Sequence, residues 1–170
     1  YAGKLGFENL SSVSVNDFQG GKAAAAKLCE LGHRRIGILS GDNKSAGPFC
    51  ERFSGICNAL SEYGINEAER FTEICEFSFR SAYEKAYKLI LEHSDLTAVI
   101  AMSDIIAIGA VRAFCDMKLK IPDDISVMRV AQNRELFTVV RPDEDADEDW
   151  QDVLSVLDPA IDSFLERRSA

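Results

Sequence analysis

Four residues carry groups suited to holding a small polar ligand: Arg52, Phe77, Ser103 and Asp104. A guanidinium is a planar fork that can take two adjacent hydroxyls or a carboxylate. A phenylalanine ring offers its face to the apolar side of a sugar or base. Ser103 and Asp104 stand where an apolar run meets a helix start. There a hydroxyl can cap the helix and a carboxylate can favour its positive end. A ligand hydroxyl can share those same two groups, so capping and binding both remain open for them.

Nothing comparable marks catalysis. The chain has no GxSxG, no HExxH and no GxxxxGK[ST]. Gly20-Gly21 lacks the third glycine of a dinucleotide fingerprint and reads as a spot where two helices pack closely. His33, between a helix end and a strand, reads as structural, and His93 as a partner for a helix dipole. The five cysteines, Cys29, Cys50, Cys57, Cys75 and Cys115, form no CxxC pair, and only two histidines exist. A zinc site is therefore not expected. Cys29, Cys57 and Cys115 fall among apolar helix positions, which fits reduced core thiols of a cytoplasmic protein. The expectation is a protein that is not an enzyme, with no cofactor and no metal.

The elements that must position the four residues alternate along the chain. Ser12–Val15 is a short strand candidate. Asp17–Leu31 reads as a helix with Asn16 or Asp17 as cap and Gly32 after its end. Arg35–Leu39 is a buried-type strand. Pro48–Tyr63 is a helix with proline in its first turn. Phe71–Phe77 is a strand, followed by a helix from Ser78 or Ser81 to about His93. Thr97–Met102 is almost wholly apolar, as suits a parallel strand covered on both faces. A helix runs from Asp104 to about Met117, then a strand over Ile125–Val130 and another candidate over Leu136–Val140. Trp150–Arg167 reads as an amphipathic helix offset by Pro159. Strand–helix alternation predicts a Rossmann-like three-layer α/β fold with a mainly parallel sheet. In such sheets ligands bind at the carboxyl ends of the strands, which is where the four residues fall.

The chain has 170 residues and a formal charge of −9. Residues 142–170 hold 10 acids and 2 bases, so the acidity lies in the tail and the body is nearly neutral. No basic patch marks a phosphate-binding face, and this chain alone is not expected to bind nucleic acid directly. No stretch reaches 18 apolar residues without a charge, so no membrane association is expected. Seven acids between Asp143 and Asp152 read as a solvated linker and an acid-rich first helical turn.

Five segments resemble the effector-binding core of lactose-repressor-type (LacI/GalR) transcription regulators. They are SVSVNDFQGGKAAAAKLCELGHRRIGILSG, ERFSGICNALSEYGI, FSFRSAYEKAYKLI, TAVIAMSDIIAIGAVRAF and KIPDDISV, in family order across Ser12–Val127. The LGHRRI and IPDDISV pieces together are specific. The resemblance implies a periplasmic-binding-protein-like fold, here incomplete, of two α/β subdomains with a sugar or purine effector between them. It implies a homodimer and a separate helix-turn-helix domain ahead of the core, which is not expected within these residues. Residue by residue, Arg52 matches the arginine of the RxxG helix that contacts the effector, and Phe77 matches the aromatic position of the pocket. Ser103-Asp104 matches an Asn-Asp pair, with serine a shorter departure. After IPxDISVx the family has GFDD or GYDD; its clamping acid falls at Ala131 and is absent here.

The expected domains are therefore 1–66, part of an amino-terminal α/β subdomain; 67–141, a carboxy-terminal α/β subdomain; and 142–170, an acidic linker with a terminal helix. The leading functional expectation is an effector-sensing domain of a LacI-type regulator that binds a sugar or purine weakly. The alternatives are a truncated or chimeric scaffold without effector binding and a secreted solute-binding protein.

Overall fold

The computed structural model describes residues 15–130 except Ser45 and Glu67. The strand candidates at Ser12–Val15 (apart from Val15) and Leu136–Val140, the position Ala131 and the whole of 142–170 lie outside them. The elements run α1 (Asp17–Glu30), β1 (Ile36–Ser40), α2 (Pro48–Glu62), a 3₁₀ turn (Ala68–Phe71), β2 (Thr72–Ile74), α3 (Phe79–Glu92), β3 (Ala98–Ala101), α4 (Asp104–Asp116) and β4 (Ser126–Arg129). All strand pairs are parallel, in the order β2-β1-β3-β4. The chain steps from β1 to β2 on one side, then returns past β1 to place β3 on the other. The order reverses between β1 and β3, which makes their carboxyl ends the topological switch point.

Period-two alternation explains why the strands are apolar throughout. Ile36 and Ile38 of β1, Ala98, Ile100 and Met102 at β3, and Met128 and Val130 at β4 pack with Leu28, Ile56 and Leu60 of α1 and α2. Leu39, Val99, Ala101 and Val127 point the other way, to Leu89 and Phe114 of α3 and α4. With helices on both faces, neither side of β1 or β3 meets water. The result is the three-layer α/β arrangement read from the sequence.

The two helix pairs close on small residues. A Cβ at Gly21 of α1 would stand 2.1 Å from the Arg52 carbonyl oxygen, and one at Gly55 of α2 would stand 2.0 Å from that of Phe18. The Gly20-Gly21 step is thus a packing contact, as its missing third glycine suggested. On the far face a Cβ at Gly109 of α4 would stand 2.6 Å from that of Ala82 in α3.

The expected boundary between 66 and 67 does not divide the sheet. β1, from the first span, lies between β2 and β3 of the second. Among the described residues both spans contribute strands to one sheet. Gly64, at φ 77°, makes the bend that the crossover from α2 towards β2 needs after its helix. A second correction concerns thiols. Cys29 is buried but Cys57 is only half-buried, and Cys115 is exposed near the end of α4.

Candidate functional site

Arg52 sits in the second turn of α2, and its side chain is only 4% exposed. Two long-range bonds hold it. Its Nε donates to Asp17 Oδ1 at 2.8 Å, and its Nη1 donates to the Met102 carbonyl at 2.5 Å. The cap of α1 makes the first bond available. Asn16, and not Asp17, accepts from the Gln19 amide at 3.0 Å. Asp17 is left as the first helical residue, where the dipole favours a carboxylate, with its side chain turned to Arg52. The third corner of the guanidinium, Nη2, is buried and has no hydrogen-bond partner among the described residues. Such a donor costs about 1–3 kcal/mol unless an acceptor meets it.

The strand ends around this group are locked together. Ser40 Oγ donates to Met102 Sδ at 3.0 Å, the Met102 amide to the Leu39 carbonyl at 3.1 Å, and the Cys75 amide to the Ser40 carbonyl at 2.7 Å. Phe49, one turn before Arg52, covers the end of β1: a Cβ at Gly41 would fall 2.6 Å from its ring. The Arg52 guanidinium lies 5.8 Å from the centre of that ring, in cation–π range.

Ser103 follows Met102 directly and caps α4, accepting from the Ile106 amide at 3.4 Å. Asp104 is exposed, and its Oδ1 takes Nη1 of Arg129 at 2.5 Å. Phe77, on the loop between β2 and α3, is 70% exposed. The structure thus joins Arg52, through Met102, to Ser103 and Asp104 at the switch point. No described contact links Phe77 to Arg52; the ring beside the arginine is Phe49. Sequence reasoning missed four participants: Asp17, Phe49, the Met102 carbonyl and Arg129. Only Phe49 left a signal, as an aromatic three residues before Arg52 on one helix face.

The other candidates fall away from this end. His33 Nδ1 meets Thr97 Oγ1 at 2.9 Å near the amino ends of the strands, and burial lowers its pKa. His93 ends α3 and meets Phe71 edge-on at 4.9 Å. Burial pushes the Cys75 thiol up to about 12, which makes it a poor nucleophile. Among the described residues, no three His, Cys, Asp or Glu side chains gather to hold a metal, and no helix is long and apolar enough to cross a membrane.

Comparison with known proteins places this arrangement. The periplasmic binding protein-like domain matches residues 25–144. The HTH-type transcriptional regulator DegA of Bacillus subtilis is 34% identical over 119 residues, 70% of this chain and 35% of that protein. The ribose operon repressor of Haemophilus influenzae is 35% identical over 120 residues, 71% of this chain and 36% of that protein. The chain therefore spans about a third of the length of these curated relatives. Among solved structures, a sugar-binding transcriptional regulator of the LacI family from Escherichia coli, complexed with phosphate, aligns with TM-score 0.66 at 29% identity, covering 72% of this chain and 44% of the other. A LacI family regulator from Enterococcus faecium with bound ribose aligns with TM-score 0.60 at 29% identity, over 66% of this chain and 41% of the other.

Proposed function

Because the chain belongs to the periplasmic binding protein-like domain family, in the LacI/GalR-type form of an effector-binding core, we propose that it is the sensing part of a bacterial transcription regulator. Its ligand would be a small sugar or purine, held at the carboxyl ends of β1 and β3. One observation carries this reading: Arg52 is buried at the switch point, fixed by Asp17 and the Met102 carbonyl, with Nη2 unpartnered among the described residues. A binding site with so few pre-set donors orients a ligand and has no nucleophile–base pair to transform it.

Sensing would work by population shift. A ligand that binds one arrangement of the regulator better than another biases it by the difference in affinity. Contact with DNA belongs, on this reading, to a helix-turn-helix outside the described residues, in a cytoplasmic homodimer. A scaffold that binds no effector is the second reading. It draws support from Asp104, whose carboxylate Arg129 already engages, and from Phe77, which stands in solvent.

Calorimetric titration of the full chain against pentoses, hexoses and purines separates the two. Sensing predicts binding at about millimolar strength, since a lost charged hydrogen bond costs about one to two decades of affinity. Ser103→Asn keeps a good helix cap and lengthens the reach of the side chain. It should tighten binding while leaving the melting temperature unchanged. Absence of binding in both proteins would establish the scaffold.

A further inference from the structure

Arg129 has no role in the sequence reading, yet it stands at the carboxyl end of β4, beside that of β3. The β3–β4 register pairs it with Ala101, the last residue of β3. The Val130 amide donates to the Ala101 carbonyl at 2.9 Å, so the backbone there is held to the end of the ladder. Arg129 is about one quarter exposed, at 28%, and its Nη1 reaches Asp104 Oδ1. Arg52 arrives at the next residue of the same strand end, with Nη1 on the Met102 carbonyl. The two guanidiniums thus bond groups on either side of Ser103, the Met102 carbonyl for Arg52 and the Asp104 carboxylate for Arg129, at the amino end of the thirteen-residue helix α4.

The balance of donors and acceptors decides what such a place can hold. A neutral polyol is held largely by carboxylates that accept from its hydroxyls. The carboxylates here, Asp17 and Asp104, are each engaged by an arginine. Donors remain on both forks, and the buried Nη2 of Arg52 has no partner among the described residues. The first-turn amides of α4 add the positive end of a helix dipole. An acceptor-rich group fits that set, and a hydroxyl that must donate does not.

Resting on the sensing reading above, we propose that Arg129 is a specificity-determining residue of this site. With Arg52 it selects a sugar that carries an anionic group, a phosphate ester or a carboxylate, over the neutral sugar. Arg129 acts twice. It offers a charged fork to the anion, and it occupies Asp104 so that neutral hydroxyls must compete with an ion pair.

The test is calorimetric titration of the full chain with ribose and glucose, their phosphate esters, their aldonic acids and inorganic phosphate. Wild type should bind an ester or an acid at least about ten-fold tighter than the parent sugar, and inorganic phosphate more weakly than the ester. Which of ester and acid binds tighter identifies the source of the anion. Arg129→Gln should weaken the anionic sugar by about ten- to a hundred-fold, as loss of a charge-assisted bond implies, and should strengthen the neutral one by freeing Asp104. Arg129→Lys should fall between them, with circular dichroism confirming that each variant is folded. Tighter binding of the neutral sugar in wild type, an anion preference unchanged in Arg129→Gln, or inorganic phosphate binding as tightly as the ester would each overturn this assignment while leaving sensing intact. Failure of every compound to bind would overturn both.

Discussion

The two ends of the sheet hold similar residue types and treat them differently. At the amino end, Arg35 pairs with Asp95, whose side chains are 38% and 59% exposed. His33 there meets Thr97, and Arg34 Nη1 donates to the nearby carbonyls of Cys29 and His33. At the carboxyl end, Arg52 and Asp17 are 4% and 9% exposed, and they tie α2 to α1 and to the end of β3. The first arrangement decorates turns. The second removes two charges from water, which is costly unless each is well paired. A fold places such a pair where its geometry matters, and here that is the switch point.

Removing one acid from each end gives the widest contrast. Asp17→Ala strands a buried guanidinium and should lower unfolding stability by about 3–5 kcal/mol. Asp95→Ala breaks a solvent-screened pair and should cost about 1 kcal/mol or less. Urea denaturation with matched slopes reads both; equal losses would dissolve the distinction between the ends. It also follows that Arg52→Ala is a poor probe of ligand binding, because it disturbs the fold and the site together.

A smaller effect is expected from the α1–α2 contact that presents Arg52. Gly55→Ala must push the Phe18 carbonyl away from its 2.0 Å approach and should cost about 1–3 kcal/mol. Its consequence for ligand binding should exceed that of Gly109→Ala, because Gly109 packs α4 on α3, away from Arg52. Comparing melting temperature with affinity in the two variants checks this.

Acid tests a third cluster, at the β2 edge. Burial alone would raise the pKa of Glu73, but hydrogen bonds from Lys88 and Lys85 outweigh it and hold the carboxyl below its ordinary 4.5. Its contribution is complete above 4.5 and is lost as pH falls through the lower folded-state value. Glu73→Gln should remove that part of the acid sensitivity and cost about 1 kcal/mol at neutral pH, since both lysines are well solvated.

His33 supplies an effect of similar size, at the amino end. Burial lowers its pKa below 6.5, so both states are neutral above that pH. As pH falls below 6.5 the unfolded chain takes up a proton that the folded one resists, and stability drops. His33→Gln should flatten stability between about pH 7 and 5 while costing about 0.5–1.5 kcal/mol at pH 7 for the hydrogen bond to Thr97.

Much of the framework was legible without coordinates. Asn16 and Gly32 bracket a helix seen at Asp17–Glu30, and Pro48 opens one seen at Pro48–Glu62. The apolar run at Thr97–Met102 announced a strand covered on both faces, and β3 is buried throughout. These features depend on neighbours in sequence: caps, turn residues and the period of apolar side chains. Arg52 and Ser103 could be placed at strand ends for the same reason.

What tertiary structure decided is the company each residue keeps. Arg52 finds its acid 35 residues away, on a helix whose approach depends on Gly21 and Gly55. Phe49 stands beside the arginine while Phe77 faces solvent, because β1 is central in the sheet and β2 lies at its edge. Asp104 meets Arg129 only because the β3–β4 register sets Arg129 beside Ala101. Local propensity reaches a few residues along the chain, whereas these pairings follow from strand order, register and helix approach, which arise only when the whole sheet closes.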